Sequence, residues 1–398
     1  MNILRIIYDW PDKNTYTDGL APAPYELSLA QADLGNRIYV LCGNLNGKNL
    51  KQLKFSYSLE GHKNVIVYNL PRGLSKFGPF LTTSFFVLPY YFYLKFTKKI
   101  DLVHNHGQLG IWFLLYKYLF GLIDNTPIVG HYHIVAKSRE VALKKQSAKV
   151  SFLTRAFEYP LHKFSDFLMS RVSNQMVTVS LDLKKDLIDI YRVPENKITL
   201  LESSVDANRF NKSGPTIDFG FSSGSVIIAN GGRLSKRKNI DVLVSSLKHL
   251  DERFKLVLWG QWDQSFKKEV DQIIADNNLS SRIKDIGLIS YFEADKYYRS
   301  SDIFVLPSSY EGLPKVVMEA LSSGCKVLAS GFNVDKEIPD LHFIADINPN
   351  SLAILIESLA VGVSNYEDTR SIIESAYSWR SKALILEKIY KSVILNKG

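Results

Sequence analysis

Ser308-Ser309-Tyr310-Glu311-Gly312-Leu313-Pro314-Lys315-Val316-Val317-Met318-Glu319-Ala320 is the stretch that decides the fold. Just before it, Asp302-Ile303-Phe304-Val305-Leu306-Pro307 reads as a short buried strand ending at a proline. Gly312 and Pro314 mark a tight loop, and Pro314 suits the first position of a helix, where its missing N–H costs nothing. The helix is predicted from Lys315 through Leu321, with Gly324 as its C-terminal cap. Strand, glycine-bearing loop and helix start together make an anion site. The free amides around Lys315 and Val316 point outward, and the helix dipole favours a phosphate there. Glu311 lies in the loop, where a carboxylate accepts hydrogen bonds from hydroxyls. Glu319 lies on the second turn, within reach of a ribose attached to that phosphate. Acids for hydroxyls and amides for a diphosphate point to a sugar nucleotide. Either glutamate alone reads as no more than a complement to the helix dipole.

A second cationic segment, Gly231-Gly232-Arg233-Leu234-Ser235-Lys236-Arg237-Lys238-Asn239, follows the buried strand Ser225-Val226-Ile227-Ile228-Ala229-Asn230. Arg233 can grip phosphate oxygens through two N–H groups, and Lys238 adds a mobile point charge. With Lys236 and Arg237 alongside, the plainer alternative is a solvated basic loop. In order along the chain, this segment and P-S-x-x-E-G-x-P-x-x-x-x-E-A around Glu311 and Glu319 resemble the signature of retaining GT-B glycosyltransferases of the large family 4. The family element is G-R-L-x-x-x-K-G, and Asn239 stands where its glycine is usual.

The resemblance runs over nearly the whole chain. Phe254–Gly260 is similar to the following strand and its glycine turn, and Ile283–Gly287 to the strand that usually reads V-x-F-x-G. In the first half, Met1–Ile7, Tyr25–Ala30 and Leu34–Val40 resemble the first strand, first helix and second strand. Asp101-Leu102-Val103-His104-Asn105-His106 resembles D-V-V-H-x-H, and Pro127–His133 the strand whose terminal histidine meets the donor sugar. Val177–Ser180, Ser204–Phe210 and the helix opening at Tyr377-Ser378-Trp379 match later elements. The resemblance implies a catalytic set of Glu311, His133, Arg233 and Lys238. It also implies nucleotide-sugar contacts from Glu319, Gly232, Gly260, Gly312, Leu313, Pro314, Lys315 and Val316. One departure stands out. The family's Gly-Gly before the first helix is replaced by Ala23-Pro24, which removes an amide from the expected phosphate approach, with Gly19 as a substitute if the loop is rearranged.

A chain of 398 residues is too long for one typical core, and strands alternate with helical stretches throughout. The expected fold is α/β: two Rossmann-like doubly wound domains facing a central cleft, with ligands at the C-terminal ends of the strands. The glycine-, serine- and proline-rich run 211–224 marks the boundary. The expected domains are 1–210 on the acceptor side and 211–378 for the nucleotide sugar, with a final helix over 379–398 packing back on the first. Cys42 and Cys325 give no disulfide framework and read as buried thiols of a reducing compartment. No metal-ligand cluster or D-x-D triplet is visible, so neither metal nor cofactor is expected besides the nucleotide-sugar substrate. No signal-type N-terminus is present, which gives a cytoplasmic expectation.

Charge is uneven. Residues 1–200 hold 25 Lys and Arg against 15 Asp and Glu, whereas 201–398 hold 24 against 25. Residues 51–150 alone carry 14 basic and 4 acidic side chains, interleaved with aromatics: Phe77, Phe80, Phe85, Phe86, Tyr90–Tyr93, Phe96, Trp112, Phe113, Tyr116, Tyr118 and Phe120. Arg72, Lys76, Lys95, Lys98, Lys99 and Lys117 flank or punctuate these runs. Such a mixture suits an anionic membrane surface, on the inner face of the cytoplasmic membrane, with about half the aromatics needed for the core. A membrane-spanning helix over 79–96 is not expected, because Pro89 interrupts it and Thr82, Thr83 and Ser84 dilute it. No nucleic-acid-reading motif accompanies the charge.

The expected activity is retaining transfer of a hexose-type sugar from a nucleotide-diphosphate sugar to a lipid-linked or cell-envelope glycan, as in polysaccharide or lipopolysaccharide biosynthesis. The alternatives are a sugar-nucleotide epimerase, for which acid and base groups are not in view, a phosphorylase, whose pyridoxal phosphate lysine is not in view, and a degenerate nucleotide-sugar binder without turnover.

Overall fold

In the computed structural model, which describes residues 1–11, 22–43, 55–71, 79–137 and 158–396, the strand β1 (Asn2–Ile7) is paired on both sides. Its run is apolar on both faces apart from Arg5, because a central parallel strand is covered on both sides. β1 lies between β2 (Arg37–Cys42) and, across the switch in strand order, β5 (Leu102–His106). Outside β2 come β4 (His62–Asn69) and the antiparallel edge strand β3 (Ser56–Leu59). Outside β5 come β6 (Ile128–Tyr132), β7 (Gln175–Thr178) and β8 (Ile198–Leu200), all parallel.

Leu4 and Ile6 of β1 face an apolar core closed by α2 (Pro79–Phe85), α3 (Val87–Lys98), α4 (Ile111–Phe120), α5 (Tyr159–Val172) and α6 (Leu181–Tyr191). The alternate residue Arg5 bonds back to α1 (Pro22–Asp33), a separation that follows from the two-residue period of a strand. These elements and 382–398 form one compact unit, Met1–Glu202 with Lys382–Gly398; the second unit is Ser203–Ser381.

The second unit is a six-stranded parallel sheet in the order β11-β10-β9-β12-β13-β14. Its strands are β9 (Val226–Leu234), β10 (Phe254–Trp262), β11 (Ile283–Gly287), β12 (Ile303–Leu306), β13 (Lys326–Ala329) and β14 (Leu341–Phe343). One face is packed by α7 (Ile240–Ser246), α8 (Gln264–Asp276) and α11 (Pro349–Val361). The other is packed by α9 (Ala294–Arg299), α10 (Lys315–Ser322) and α12 (Tyr366–Ala376). Strand order reverses between β9 and β12, which places a binding crevice at their carboxyl ends. The last helix, α13 (Trp379–Leu395), begins in the second unit and continues in the first.

Two parallel, doubly wound sheets are thus present, as the strand–helix alternation predicts. The division falls at Glu202/Ser203, ahead of the expected 210/211. Val205 bridges to Ser378, and Val205 and Phe210 lie in a core of the second unit, so this stretch is committed before the glycine-rich run begins. Residues 79–96 form two helices, α2 and α3, with a break at Phe86. Pro89 does not make the break; it sits in the first turn of α3, where no intrahelical N–H is needed. Among the described residues no helix is long and apolar enough to cross a membrane. Cys42 and Cys325 are both buried and neither forms a disulfide.

Candidate donor and histidine sites

The carboxyl end of β9 carries Gly232, Arg233 and, one turn on, Lys238; the loop after β12 carries Glu311, Gly312, Leu313 and Pro314. The two segments are laced together. Ser309 N–H donates to the Arg237 carbonyl (3.0 Å), and the Asn239 amide donates to the Pro307 carbonyl (2.7 Å) and Ser309 Oγ (3.0 Å). Arg237 pairs with Glu311 Oε1 at 2.8 Å and also bonds the Tyr310 carbonyl. Ser308 Oγ donates to the same Glu311 oxygen at 2.9 Å. Asn239 has φ 48° and ψ 44°, the left-handed conformation that glycine takes freely and asparagine tolerates. The departure from the family glycine therefore keeps the turn and adds a side chain that ties it to the acid loop.

Lys238 is buried, its Nζ 3.4 Å from the Gly231 carbonyl, and burial pushes it down to about 8 against the opposing field of Glu311. Gly232 has φ +103°, and a Cβ there would stand 3.3 Å from that Nζ. Gly260 lies across from Gly232; a Cβ on it would meet the Gly232 carbonyl oxygen at 1.8 Å, so glycine is obligatory. Arg233 is exposed at the strand end.

Pro314 is the residue before α10 with extended backbone, rather than its first turn; Lys315 is the first helical residue. The amide positions expected for an anion are unchanged, because the start shifts by a cap and not by a turn. The helix ends as expected near Gly324, which has φ +93° and lets Cys325 N–H reach the Ala320 carbonyl. Glu319 is buried. One oxygen accepts from Tyr298 O–H (3.0 Å) and the other pairs with Lys315 (3.2 Å), whose Nζ also donates to Tyr291 O–H (2.8 Å).

In the first unit, His133 follows β6 directly and keeps partial exposure. It belongs to a bank of imidazoles. His133 Nε2 lies 3.1 Å from His106 Nδ1, and His131 Nδ1 lies 3.3 Å from His104 Nε2. His104 Nδ1 meets Tyr390 Oη at 2.5 Å and the buried Arg5 guanidinium at 3.5 Å. Desolvation holds His104, His106 and His131 well below the usual imidazole range and pushes His133 down to about 4, so all four are neutral near pH 7. The segment after His133 is pinned by Asp166, which accepts from Ala136 N–H (2.7 Å) and Gln108 Nε2 (2.9 Å) and is pushed up to about 7 by burial. Ring nitrogens of His104, His106 and His131 are close enough for one metal ion. Among the described residues no carboxylate joins that group, and the Arg5 charge beside it opposes a cation.

Ala23-Pro24 lies in the first turn of α1, where a proline N–H is not missed, and the Pro24 carbonyl accepts from Arg5 (3.1 Å) and Ser28 Oγ (2.6 Å). The expectation that it occupies the loop before the helix is therefore corrected; Gly19 lies outside the described residues. Sequence reasoning missed Arg237, which looks like one more solvated cation, together with Tyr298 and Tyr291. It also missed the imidazole bank, whose members come from separate strands. The H-x-H spacing at 104–106 was its visible trace.

Of the expected membrane-facing residues, Phe80, Tyr91 and Phe113 are core, and Lys117 is buried against Asp124 (3.4 Å) rather than exposed. Part of the remainder is linked by ring contacts. Phe96, Phe92, Tyr116 and Phe120 form a ladder of ring contacts at 6.3, 5.0 and 5.6 Å across α3 and α4. Phe96 is 78% exposed, and Leu122 and Ile123 beyond α4 are 103% and 85% exposed. Lys98 and Lys99 end α3 beside it. Arg72, Lys76, Phe77 and 138–150 lie outside the described residues.

Comparison with known proteins places these features in context. Residues 17–209 match the family model described as Glycosyltransferase Family 4, and 218–378 the model described as Glycosyl transferases group 1. An uncharacterised glycosyltransferase of Methanocaldococcus jannaschii is 25% identical over 57% of this chain and 62% of its own length. A second from that organism is 23% identical over 87% of this chain and 92% of its own length. A UDP-Gal:alpha-D-GlcNAc-diphosphoundecaprenol alpha-1,3-galactosyltransferase of Escherichia coli is 22% identical over 75% of this chain and 77% of its own. Among solved structures, sucrose-phosphate synthase from Thermosynechococcus elongatus shares the fold with TM-score 0.73 at 17% identity, covering 99% of each chain. WaaG, a glycosyltransferase involved in lipopolysaccharide biosynthesis, does so with TM-score 0.66 at 14% identity, covering 98% of this chain and 99% of its own.

Proposed function

Because this chain belongs to the family 4 glycosyltransferases of the GT-B fold, we propose that it moves a hexose-type sugar, with retention of anomeric configuration, from a nucleoside-diphosphate sugar to a lipid-linked or cell-envelope glycan. The observation that carries this reading is the lacing of the cationic turn 236–239 to the acid loop 307–311 across the switch point of the second sheet. It holds Lys238 and Glu311 on one frame, with the start of α10 alongside.

Donor recognition is assigned to the second unit. Gly232, Gly260, Gly312, Leu313 and Pro314 let the backbone approach; the amides of Lys315 and Val316 meet the diphosphate, and Glu319 the ribose. As the anomeric C–O bond breaks, charge develops on the diphosphate. Arg233, Lys238 and the α10 N-terminus stabilise it as preorganised positive charge, in the role a divalent ion plays elsewhere. Glu311, its geometry fixed by Arg237 and Ser308, orients the sugar, and the acceptor hydroxyl attacks the face that the diphosphate leaves. His133 and the acceptor side are assigned to the first unit. The Escherichia coli relative is named for a UDP-sugar donor and a diphosphoundecaprenol-linked acceptor, and the WaaG neighbour is involved in lipopolysaccharide biosynthesis; both favour an envelope-glycan acceptor.

The exposed aromatic ladder with Lys98 and Lys99 supports attachment to an anionic membrane, at the inner face of the cytoplasmic membrane, where such an acceptor resides.

The test is nucleotide release by the purified chain from a panel of UDP-, GDP-, ADP- and dTDP-sugars, with and without a membrane lipid extract. One donor should respond and a chelator should leave its rate unchanged. Arg233→Ala should lower kcat by about 10²-fold. Glu311→Gln should still bind donor while losing turnover. Silence across the panel even with lipid extract would favour the binder without turnover.

A further inference from the structure

We propose that His106 is a positioning residue that fixes the tautomer of His133: His106 Nδ1–H donates to His133 Nε2, which leaves the proton of His133 on Nδ1 and makes it a hydrogen-bond donor there. His106 is buried, and its Nε2 has no hydrogen-bond partner among the described residues. Its other nitrogen, Nδ1, lies 3.1 Å from His133 Nε2, so one of the two carries the proton between them. Were it supplied by His133 Nε2, the proton of neutral His106 would sit on Nε2, leaving a buried N–H without an acceptor. An orphaned N–H is the rarer and costlier arrangement; a bare ring nitrogen is the cheaper one. The proton therefore belongs to His106 Nδ1, and the donor of the pair is His106.

The adjoining pair obeys the same rule independently. His131 Nε2 is buried and also without a partner among the described residues, so His131 Nδ1 carries the proton and donates to His104 Nε2 at 3.3 Å. His104 then holds its own proton on Nδ1, where Tyr390 Oη accepts it at 2.5 Å. That Arg5 approaches the same Nδ1 no closer than 3.5 Å is consistent, since a guanidinium cannot donate to a protonated nitrogen. The two pairs are coupled by stacking, with the His131 and His133 rings 4.3 Å apart and 13° from parallel. One assignment satisfies both imidazole–imidazole contacts and the Tyr390 contact.

The consequence for transfer rests on the role given to His133 above. A His133 held as the Nδ1–H form offers a donor to a sugar hydroxyl or phosphate oxygen at Nδ1, and cannot serve as a base there. The intrinsic preference of a histidine side chain is for the proton on Nε2, so without His106 the donor is misplaced.

Long-range 1H–15N correlation spectra of the full chain labelled at histidine, with His133 assigned by its loss in His133→Gln, read the tautomer without any turnover. The expected result near neutral pH is a protonated Nδ1 and an unprotonated Nε2. Finding Nε2 protonated would overturn the proposal whether or not the chain is an active transferase. His106→Asn, whose amide can stand in place of Nδ1–H, should preserve both the tautomer and kcat. His106→Phe, which keeps a ring but removes the donor, should shift His133 to the Nε2–H form and lower kcat by about tenfold or more with donor KM unchanged. Equal tautomer and equal kcat in the two variants would also overturn it. Should His106→Phe fail to fold, the wild-type spectrum still decides.

Discussion

At the scale of single residues, the donor site shows how far an identity can be read from its neighbours in the chain. Glu311, Lys238 and Glu319 stand out because their spacing from glycines, prolines and buried strands is local. Their partners do not: Arg237 reaches Glu311 across two loops, and Tyr298 reaches Glu319 from another helix. No periodicity encodes either contact. Asn239 is instructive in the opposite direction, since a departure from the family glycine becomes intelligible once its left-handed backbone and its two side-chain bonds are seen. Gly312 gives a prediction at this scale. A Cβ there would meet nothing within 4 Å and its backbone is not left-handed, so the fold does not require glycine. Gly312→Ala should change stability by less than about 0.5 kcal/mol. If the backbone of that loop approaches the donor, the same variant should bind the nucleotide sugar at least about tenfold more weakly, measured by calorimetry, because even one methyl is felt in a close contact. Unchanged affinity would remove Gly312 from the donor site.

At the scale of elements, apolar runs were legible and cap details were not. β12, the first half of β9 and, but for Arg5, most of β1 announce themselves as the hydrophobic runs of parallel strands. The start of α1 did not, because Ala23-Pro24 reads equally as loop or first turn, and the Arg5 bond to the Pro24 carbonyl that fixes it comes from a strand. The basic aromatic stretch divides in the same way: composition cannot say that Lys117 is turned inward to Asp124 while Phe96 is left outside. Lys117 also donates to the Thr126 carbonyl at 2.9 Å, so its charge holds the segment that follows α4 and takes no part in a surface patch. The ladder over α3 and α4 predicts capture by vesicles containing phosphatidylglycerol in a flotation assay, and weaker capture by pure phosphatidylcholine. Phe96→Glu with Ile123→Glu should abolish capture while leaving the melting temperature and donor hydrolysis unchanged, since both side chains are exposed. Equal capture of the variant would exclude this face.

At the scale of the whole molecule, two sheets were legible from the alternation of strands and helices, and their division was not, because Val205 and Ser378 meet across a long sequence separation. The units should differ in their response to acid. Four imidazoles of the first unit are depressed in the fold, His133 to about 4, whereas the second unit's His249 and His342 are exposed. An unfolded chain takes up protons at histidine below about pH 6.5 while the folded bank does not. The stability these neutral groups contribute is therefore complete above that pH and is lost as pH falls toward 4, each such proton costing about 1.4 kcal/mol per pH unit. Hydrogen exchange followed from pH 7 to 5 should show the first unit loosening ahead of the second; simultaneous loosening would argue against the bank as the cause. The central claim, retaining transfer to a lipid-linked acceptor, is tested most directly by one reaction. The chain is given the donor that releases nucleotide and a polyprenyl-diphosphate-linked sugar, and the new linkage is read by proton NMR. Retaining transfer gives stoichiometric nucleotide release and a product whose anomeric configuration is that of the donor. An inverted linkage, or a product formed equally well by Glu311→Gln, would contradict it.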